Sequence, residues 1–350
     1  MRNGSRSRAD KLAKRLLTRA VLRLAGPCPS VPTWQGPIRS VIVLAQEKLG
    51  DAMLLSPLFM LLKRNRPGVR IHVVVYGSTA DFFRYDPFVD GVIHGKRNYP
   101  GFFRAVRRVD ADLLYNPKDH ASFTFLYQSR LIPARIRVGI AHPQHQGFFH
   151  HLLPLDFHRH VALKNCALLD FLGIPYDEED CRPVIPDGPV SPEVERFAGT
   201  IEPGTIGINL SAGESSREWP LERWVALLAA GRRPAVVLSI PARREDKKSI
   251  EAASPWARPS PPTVSIFDAG ALVKRLSLLV TPDTSLIHAA SALRIPVVGL
   301  YRSDPVHLER FAPFRVPHRQ VLSRTGFVAD IPLDSVLTAM RDLDVLGEGR

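Results

Sequence analysis

At 350 residues the chain is longer than one hydrophobic core usually organises, so two domains are expected. Apolar residues make up 45% of it, which excludes a disordered chain, and 47 Lys and Arg against 34 acids (net +13) points to anionic partners. Three cysteines without a C-x-x-C pair (Cys28, Cys166, Cys181) argue for a reduced, cytosolic compartment and against structural zinc, and no apolar run approaches the ~20 residues of a membrane span.

The basic excess is uneven. Residues 1–24 carry eight basic side chains (Arg2, Arg6, Arg8, Lys11, Lys14, Arg15, Arg19, Arg23) and one acid, Asp10. Residues 9–25 read as a helix, with Leu12, Leu16, Leu17, Ala20, Val21 and Leu24 on one arc and Lys11, Lys14, Arg15 and Arg19 on the other, stopped by Gly26-Pro27. Such a helix either lies on an anionic membrane or docks on the body with a solvated basic face; the missing acids favour the membrane. A Pro-rich linker follows to residue 37, and these first 37 residues are set apart from the two domains.

From residue 38 apolar strands alternate with helices: strand Ser40–Ala45, helix Asp51–Asn65, strand Val69–Tyr76, strand Gly91–His94, helix Pro100–Arg108, strand Ala111–Tyr115, helix Ser122–Leu131, strand Arg137–Ile140, helix 161–172. Tyr176–Pro192, rich in Pro and acids, reads as a linker. The rhythm then restarts with strands Thr205–Leu210, Ala235–Ile240, Leu278–Thr281 and Pro296–Tyr301. Helices are expected at Leu221–Ala230, Arg243–Ala252, Leu272–Leu276, Thr284–Leu293 and Asp334–Leu343. The implied architecture is α/β, two Rossmann-like, doubly wound parallel-sheet domains over 38–185 and 186–350 facing a central cleft, with ligands at the carboxyl ends of the strands.

Three segments sit at such strand ends. Gly50-Asp51 follows the first strand, where a Gly permits a close turn and Asp51 opens the next helix, which is also the place of an ordinary capping Asp. Ser211-Ala212-Gly213-Glu214-Ser215-Ser216-Arg217-Glu218-Trp219-Pro220 puts small residues and a guanidinium before a helix, as a phosphate site requires and as a solvated loop also would; Trp219 reads as a packing anchor in either case. In Thr281-Pro282-Asp283-Thr284-Ser285-Leu286-Ile287-His288, Asp283 or Thr284 can cap a helix whose free N–H groups suit an anion; His288 lies one turn in. Lys118 and His120 follow another strand and could meet an acceptor phosphate or only solvent. Gly91–Arg97 is one residue short of a P-loop, no G-x-G-x-x-G occurs, and the six histidines over 142–160 match no zinc spacing, so they read as a polar loop facing an acceptor.

Taken in order, these segments resemble glycosyltransferase family 9, the lipopolysaccharide heptosyltransferase family. The matching residues are Gly50-Asp51, Arg217-Glu218-Trp219-Pro220, Asp283 through Ala292, and Tyr301-Arg302-Ser303-Asp304-Pro305, over about residues 39–320. Arg217 stands where the family usually has Lys, Ser285 where it has Gly, and the Tyr301-Arg302 segment lacks the family's Gly.

The resemblance implies a GT-B fold and an inverting, metal-independent transferase without a cofactor. Its donor would be a nucleotide-diphosphate sugar, ADP-heptose first, and its acceptor a lipid-anchored saccharide of lipopolysaccharide-core type. Asp51 would be the general base and Arg217 the residue stabilising the leaving diphosphate. Ser211, Gly213, Trp219, Asp283, Thr284, Ser285 and His288 would form the donor side, with Lys48, Gly50, Lys118 and His120 on the acceptor side. The expected location is cytoplasmic, peripheral on the cytosolic face of the inner membrane. The rival expectation is a nucleotide-sugar or anionic-lipid binder that kept the fold and lost turnover. Nucleic acid is not an expected partner, because the basic residues are not interleaved with aromatics.

Overall fold

The computed structural model describes residues 3–347 except 33, 35, 46, 47, 78, 96 and 97, and the side chains at 3–11, 14, 15, 305–307 and 344–347 lie outside the description. Arg2, the side chains of Arg6, Arg8, Lys11, Lys14 and Arg15, and Lys96-Arg97 of the P-loop-like segment therefore fall outside the described residues. The chain divides into two compact units, Met1–Phe157 with Ala162–Cys181, and His158–Val161 with Arg182–Arg350.

In the first unit the elements run α1 (Asn3–Ala25), β1 (Ser40–Leu44), α2 (Leu49–Asn65), β2 (Arg70–Val75), α3 (Thr79–Arg84), β3 (Gly91–His94), α4 (Tyr99–Val109), β4 (Ala111–Asn116), α5 (Phe123–Leu131), β5 (Ala134–Ile140), β6 (His151–Leu153) and α6 (Val161–Phe171). All strand pairs are parallel and the order is β3-β2-β1-β4-β5-β6. The central strand β1, Ser-Val-Ile-Val-Leu, is buried throughout, as a parallel strand covered on both faces must be.

Helix α2 tolerates Pro57 in its interior because the carbonyl that loses its N–H partner is served locally: Ser56 Oγ donates to the Met53 carbonyl at 2.8 Å. One residue on, Asn165 of α6 donates to the Leu54 carbonyl at 2.9 Å, fastening α6 to α2. On one face of the sheet Phe102 and Val106 of α4 and Phe125 of α5 share a core with Ile42, Leu44, Val74 and Leu114. Val21 and Leu22 of α1 pack beside Leu126 of α5, Phe148 and Phe149. The arc expected to be apolar is otherwise open: Leu12, Leu16, Leu17 and Leu24 are 59%, 56%, 52% and 90% exposed.

The second unit repeats the plan with α7 (Pro192–Ala198), β7 (Ile206–Asn209), α8 (Leu221–Gly231), β8 (Ala235–Leu238), α9 (Arg244–Ala253), β9 (Ala257–Arg258), α10 (Ile266–Val273), β10 (Leu278–Pro282), α11 (Ser285–Leu293), β11 (Val297–Tyr301), α12 (Pro305–Arg310), β12 (His318–Leu322) and α13 (Leu333–Gly347). Its parallel sheet has the order β12-β11-β10-β7-β8-β9, the same winding as the first. Trp219, Trp224, Leu227 and Leu228 meet Val336, Ala339 and Met340 of α13 in its core.

Candidate active site

In each sheet the strand order reverses once, and the loops leaving the two strands at that point diverge to leave room for a ligand. In the first unit the reversal lies between β1 and β4. The loop after β1 ends at Lys48, and Asp51 falls in the first turn of α2. Gly50 lies inside that turn, where the helix opens without a side-chain cap. The loop after β4 brings Lys118 and Asp119, whose carboxylate is 3.1 Å from Nδ1 of the exposed His120. Lys118 spans the ring of Phe125, with Nζ 4.2 Å from its centroid.

A further residue completes this group. Lys164, on the apolar helix α6, is 3% exposed; its Nζ donates to the Pro117 carbonyl at 2.6 Å and lies 3.6 Å from Asp119 Oδ2. The Asp51 carboxyl is held above the ordinary carboxylate range by burial, against the downward pull of Lys164, Lys48 and Lys118; Asp119 adds to the rise. Neither Lys164 nor Asp119 stands out in a motif. The available signal is the Lys-Asn pair inside the otherwise apolar run Val161–Leu169, since a charge in such a helix needs a buried partner.

In the second unit the reversal lies between β7 and β10. Asn209, buried at the end of β7, is the hub: its Nδ2 donates to Thr281 Oγ1 at 2.9 Å and Thr284 Oγ1 at 3.2 Å, and its Oδ1 accepts from Ser211 N at 3.0 Å. Its sequence signal is a polar residue ending an otherwise apolar strand. Ser211 Oγ in turn accepts from Ile240 N at 2.7 Å, pinning the loop after β7 to that after β8. Thr284, not Asp283, caps α11, accepting from Leu286 N at 3.3 Å.

Asp283 has a different task. Its carboxylate and its carbonyl receive Arg217 Nη1 at 3.0 and 3.2 Å, so the guanidinium is held at the start of α11. Trp219 is 2% exposed, donates Nε1 to the Ile331 carbonyl at 3.0 Å and stacks edge-on against Trp224; it supports the loop from the core side. A side chain at Gly213 would meet nothing within 4 Å, so no close packing demands that glycine. Ser285 begins α11, and it is absent from the few non-glycine residues with positive φ, so replacing the family's Gly imposes no backbone strain. His288 is buried one turn in, its ring near Phe311. Arg302 extends to Glu214 at 3.5 Å and Ser216 at 3.3 Å, which adds a cation beside the same loop.

The histidines of 142–160 do not form one loop site. His142 accepts from Gln144 N, His145 is buried against the Ile140 carbonyl, His150 accepts from Arg137 N and His151 meets the Val31 carbonyl, all within the first unit. His158 and His160 instead hold Glu309 and the Ala312 carbonyl in the second. Each makes a hydrogen bond of its own, and no group of three metal-ligating side chains occurs among the described residues.

Comparisons with known proteins address the family and the fold. The model of glycosyltransferase family 9 (heptosyltransferase) matches residues 101–328. Lipopolysaccharide heptosyltransferase 3 of Escherichia coli K12 is 23% identical over 336 residues, covering 84% of this chain and 95% of that protein. Among solved structures, a family 9 glycosyl transferase from Veillonella parvula superposes with a TM-score of 0.71 at 20% identity, covering 90% of this chain and 99% of that one. The E. coli ADP-heptose lps heptosyltransferase II gives 0.68 at 20% identity, covering 88% and 99%. With its two like-wound parallel sheets the fold is GT-B, and the chain belongs to glycosyltransferase family 9, a family of transferase enzymes.

Proposed function

We propose that the chain is an inverting, metal-independent glycosyltransferase that moves a heptose or related sugar from a nucleotide-diphosphate sugar, ADP-heptose foremost, to a lipid-anchored acceptor of the lipopolysaccharide core. The observation that carries this reading is the contrast between the two strand-reversal sites: a desolvated carboxylate among lysines in one unit, and a guanidinium beside a capped helix start in the other. The similarity to a lipopolysaccharide heptosyltransferase and to an ADP-heptose-dependent structure supports the choice of donor and acceptor.

In this mechanism Asp51 accepts the proton of the acceptor hydroxyl. Its raised pKa makes it a stronger base than an ordinary carboxylate, while the lysines keep an ionised fraction available. The hydroxyl oxygen attacks the anomeric carbon from the side opposite the diphosphate. The bond from that carbon to the phosphate oxygen breaks, the electron pair leaves with the diphosphate, and the configuration inverts. Arg217 and the N–H groups opening α11 stabilise the charge that gathers on the leaving group, which is the task a metal performs elsewhere. Lys48 and Lys118 hold anionic groups of the acceptor, and the exposed leucines and arginines of α1 keep the enzyme on the cytosolic face of the inner membrane where that acceptor is anchored.

The test is transfer from ADP-, GDP- and UDP-sugars to a heptose-deficient lipopolysaccharide, with and without EDTA, read by mass spectrometry for transfer and by NMR for the configuration at the anomeric carbon. Transfer from ADP-heptose that survives EDTA and gives the inverted anomer is expected. A strict need for Mg²⁺ or Mn²⁺ removes the metal-independent mechanism. Binding of a sugar nucleotide with no transfer to any acceptor turns the reading into that of a binding protein.

A further inference from the structure

Outside α1, residues 91–109 hold five basic side chains, Lys96, Arg97, Arg104, Arg107 and Arg108, and no acid. Within it, α4 is sharply two-faced. Phe102, Val106 and Val109 are buried toward the sheet. On the other side Pro100, Phe103, Arg104, Arg107 and Arg108 line an open groove of about 570 Å³. Tyr99, 46% exposed, lies beside Phe103 with ring centroids 6.4 Å apart, so the groove has an aromatic end as well as a basic rim. Asn98 caps the helix through Gly101 N, and Asp110 ends it in the left-handed region, so the frame is set locally. No carboxylate among the described residues lies within ion-pair distance of Arg104, Arg107 or Arg108, although exposed arginines elsewhere in the chain have such partners.

The position of α4 gives this surface a context. It shares its core with Phe125 and Ile132 at α5, and α5 in turn holds α1, where Val21 and Leu22 pack beside Leu126 and Arg130 donates to the Ala25 and Gly26 carbonyls. Thus α4, α5 and α1 form one layer on one face of the first sheet. That layer presents arginines and aromatic rings on α4, and exposed Leu12, Leu16, Leu17, Leu24, Arg19 and Arg23 on α1.

We infer that α4 is a second membrane contact, and that the α4–α5–α1 layer faces a bilayer rich in anionic lipid. Arginines take the headgroup phosphates, while the amphipathic ring of Tyr99 settles at the headgroup level and the apolar ring of Phe103 just beneath it. The alternation of unpaired cations with apolar side chains fits a lipid surface, which offers both charge and apolar depth; a soluble acidic partner would satisfy only the first. Two contacts on one layer fix the orientation of the first unit on the membrane, which a single helix does not. The inference rests on the peripheral location proposed above.

The experiment is co-sedimentation of the full chain with phosphatidylcholine vesicles containing or lacking phosphatidylglycerol, at low and high salt. The triple variant Arg104→Gln/Arg107→Gln/Arg108→Gln is compared with Leu16→Glu/Leu17→Glu, and circular dichroism checks that both are folded. Three cations near an anionic surface correspond to roughly a 100-fold lower partition coefficient at low salt. Transfer to a delipidated, soluble acceptor should be unchanged in the triple variant. If that variant binds anionic vesicles like the unaltered chain while the leucine variant does not, the inference fails and the membrane role of α1 stands. If the unaltered chain ignores anionic vesicles at low salt, the peripheral location falls with it, and transfer to the soluble acceptor still tests the transferase reading independently.

Discussion

The two units wind identically, yet their strand-reversal points are lined by different groups. After β1 and β4 the first unit gathers Asp51, Asp119 and three lysines, Lys48, Lys118 and Lys164, around a carboxyl that burial pushes up. After β7 and β10 the second gathers Asn209, Ser211, Thr281 and Thr284 in a hydroxyl and amide network, beside the ion pair Arg217–Asp283. The first holds a group whose proton affinity is tuned. The second holds donors in fixed directions and a cation kept in place by a neighbour. A shared topology thus supplies the crevice, and the loop residues decide which charges and donors line it.

The largest effect expected is at the first site. Asp51→Asn should lower transfer by about 10²–10⁴-fold, with sugar-nucleotide binding nearly unchanged, because a general base acts on the acceptor proton and not on the bound donor. The same variant should unfold at an equal or higher temperature at neutral pH. A carboxyl with a raised folded-state pKa adds stability below its unfolded pKa and loses it as pH rises through the folded value, and Asn avoids that loss. Near-normal turnover would place the base elsewhere and dissolve the contrast between the units.

Next comes Arg217→Ala, expected to lower turnover on the order of 10²–10³-fold and to weaken sugar-nucleotide binding together, measured by steady-state kinetics and calorimetry. The substitution also strips Asp283 of its cation, so restored donor affinity in Arg217→Ala/Asp283→Asn would separate lost attraction from exposed repulsion. An effect on turnover alone would mean that Arg217 touches only the departing charge.

Lys164→Met sharpens the comparison from the side of proton affinity. Losing a cation near Asp51 moves its carboxyl further up, so the acid limb of kcat/KM should shift to higher pH, with roughly tenfold lower activity on the acid side and little change on the alkaline plateau. Lys164→Arg, which keeps the charge, should restore the limb. A uniform loss across pH, unrelieved by Arg, would assign Lys164 to packing α6 against the Pro117 loop.

The smallest effect belongs to Ser285→Gly. Since Ser285 sits in ordinary helical backbone, Gly should change donor KM less than about twofold and cost about 0.5–1 kcal/mol of stability, read by thermal denaturation. A large gain in affinity would show that the side chain crowds the donor.

The sequence by itself determined the alternation of strands and helices wherever the pattern was local. Buried runs such as Ser40–Leu44 and Leu278–Pro282 are apolar because both faces of a parallel sheet are covered, and the helix starts after them lie beside the motif residues. Short or polar elements are not legible in the local pattern: α3, β6, α7, the two-residue β9, α12 and the edge strand β12, His-Arg-Gln-Val-Leu, whose pairing with β11 supplies what its composition lacks. The helix sought at Leu272–Leu276 lies at Ile266–Val273, where Ser265 caps Asp268 N and the Asp268 carboxylate ties back to Ser191 and Val264. That Ser-x-x-Asp signature was legible, but the tie to Ser191 was not. The same division runs through the candidate site. Asp51, Arg217 and Thr284 stand at strand ends and helix starts, positions that local pattern marks. Lys164 reaches the first site from a helix more than a hundred residues after Asp51, and Asp283 left the capping role to Thr284 because Arg217, far away in sequence, was there to bind it. Local propensity names which residues open a turn; only the folding of distant segments onto one sheet edge decides which charges meet and what each carboxylate must answer.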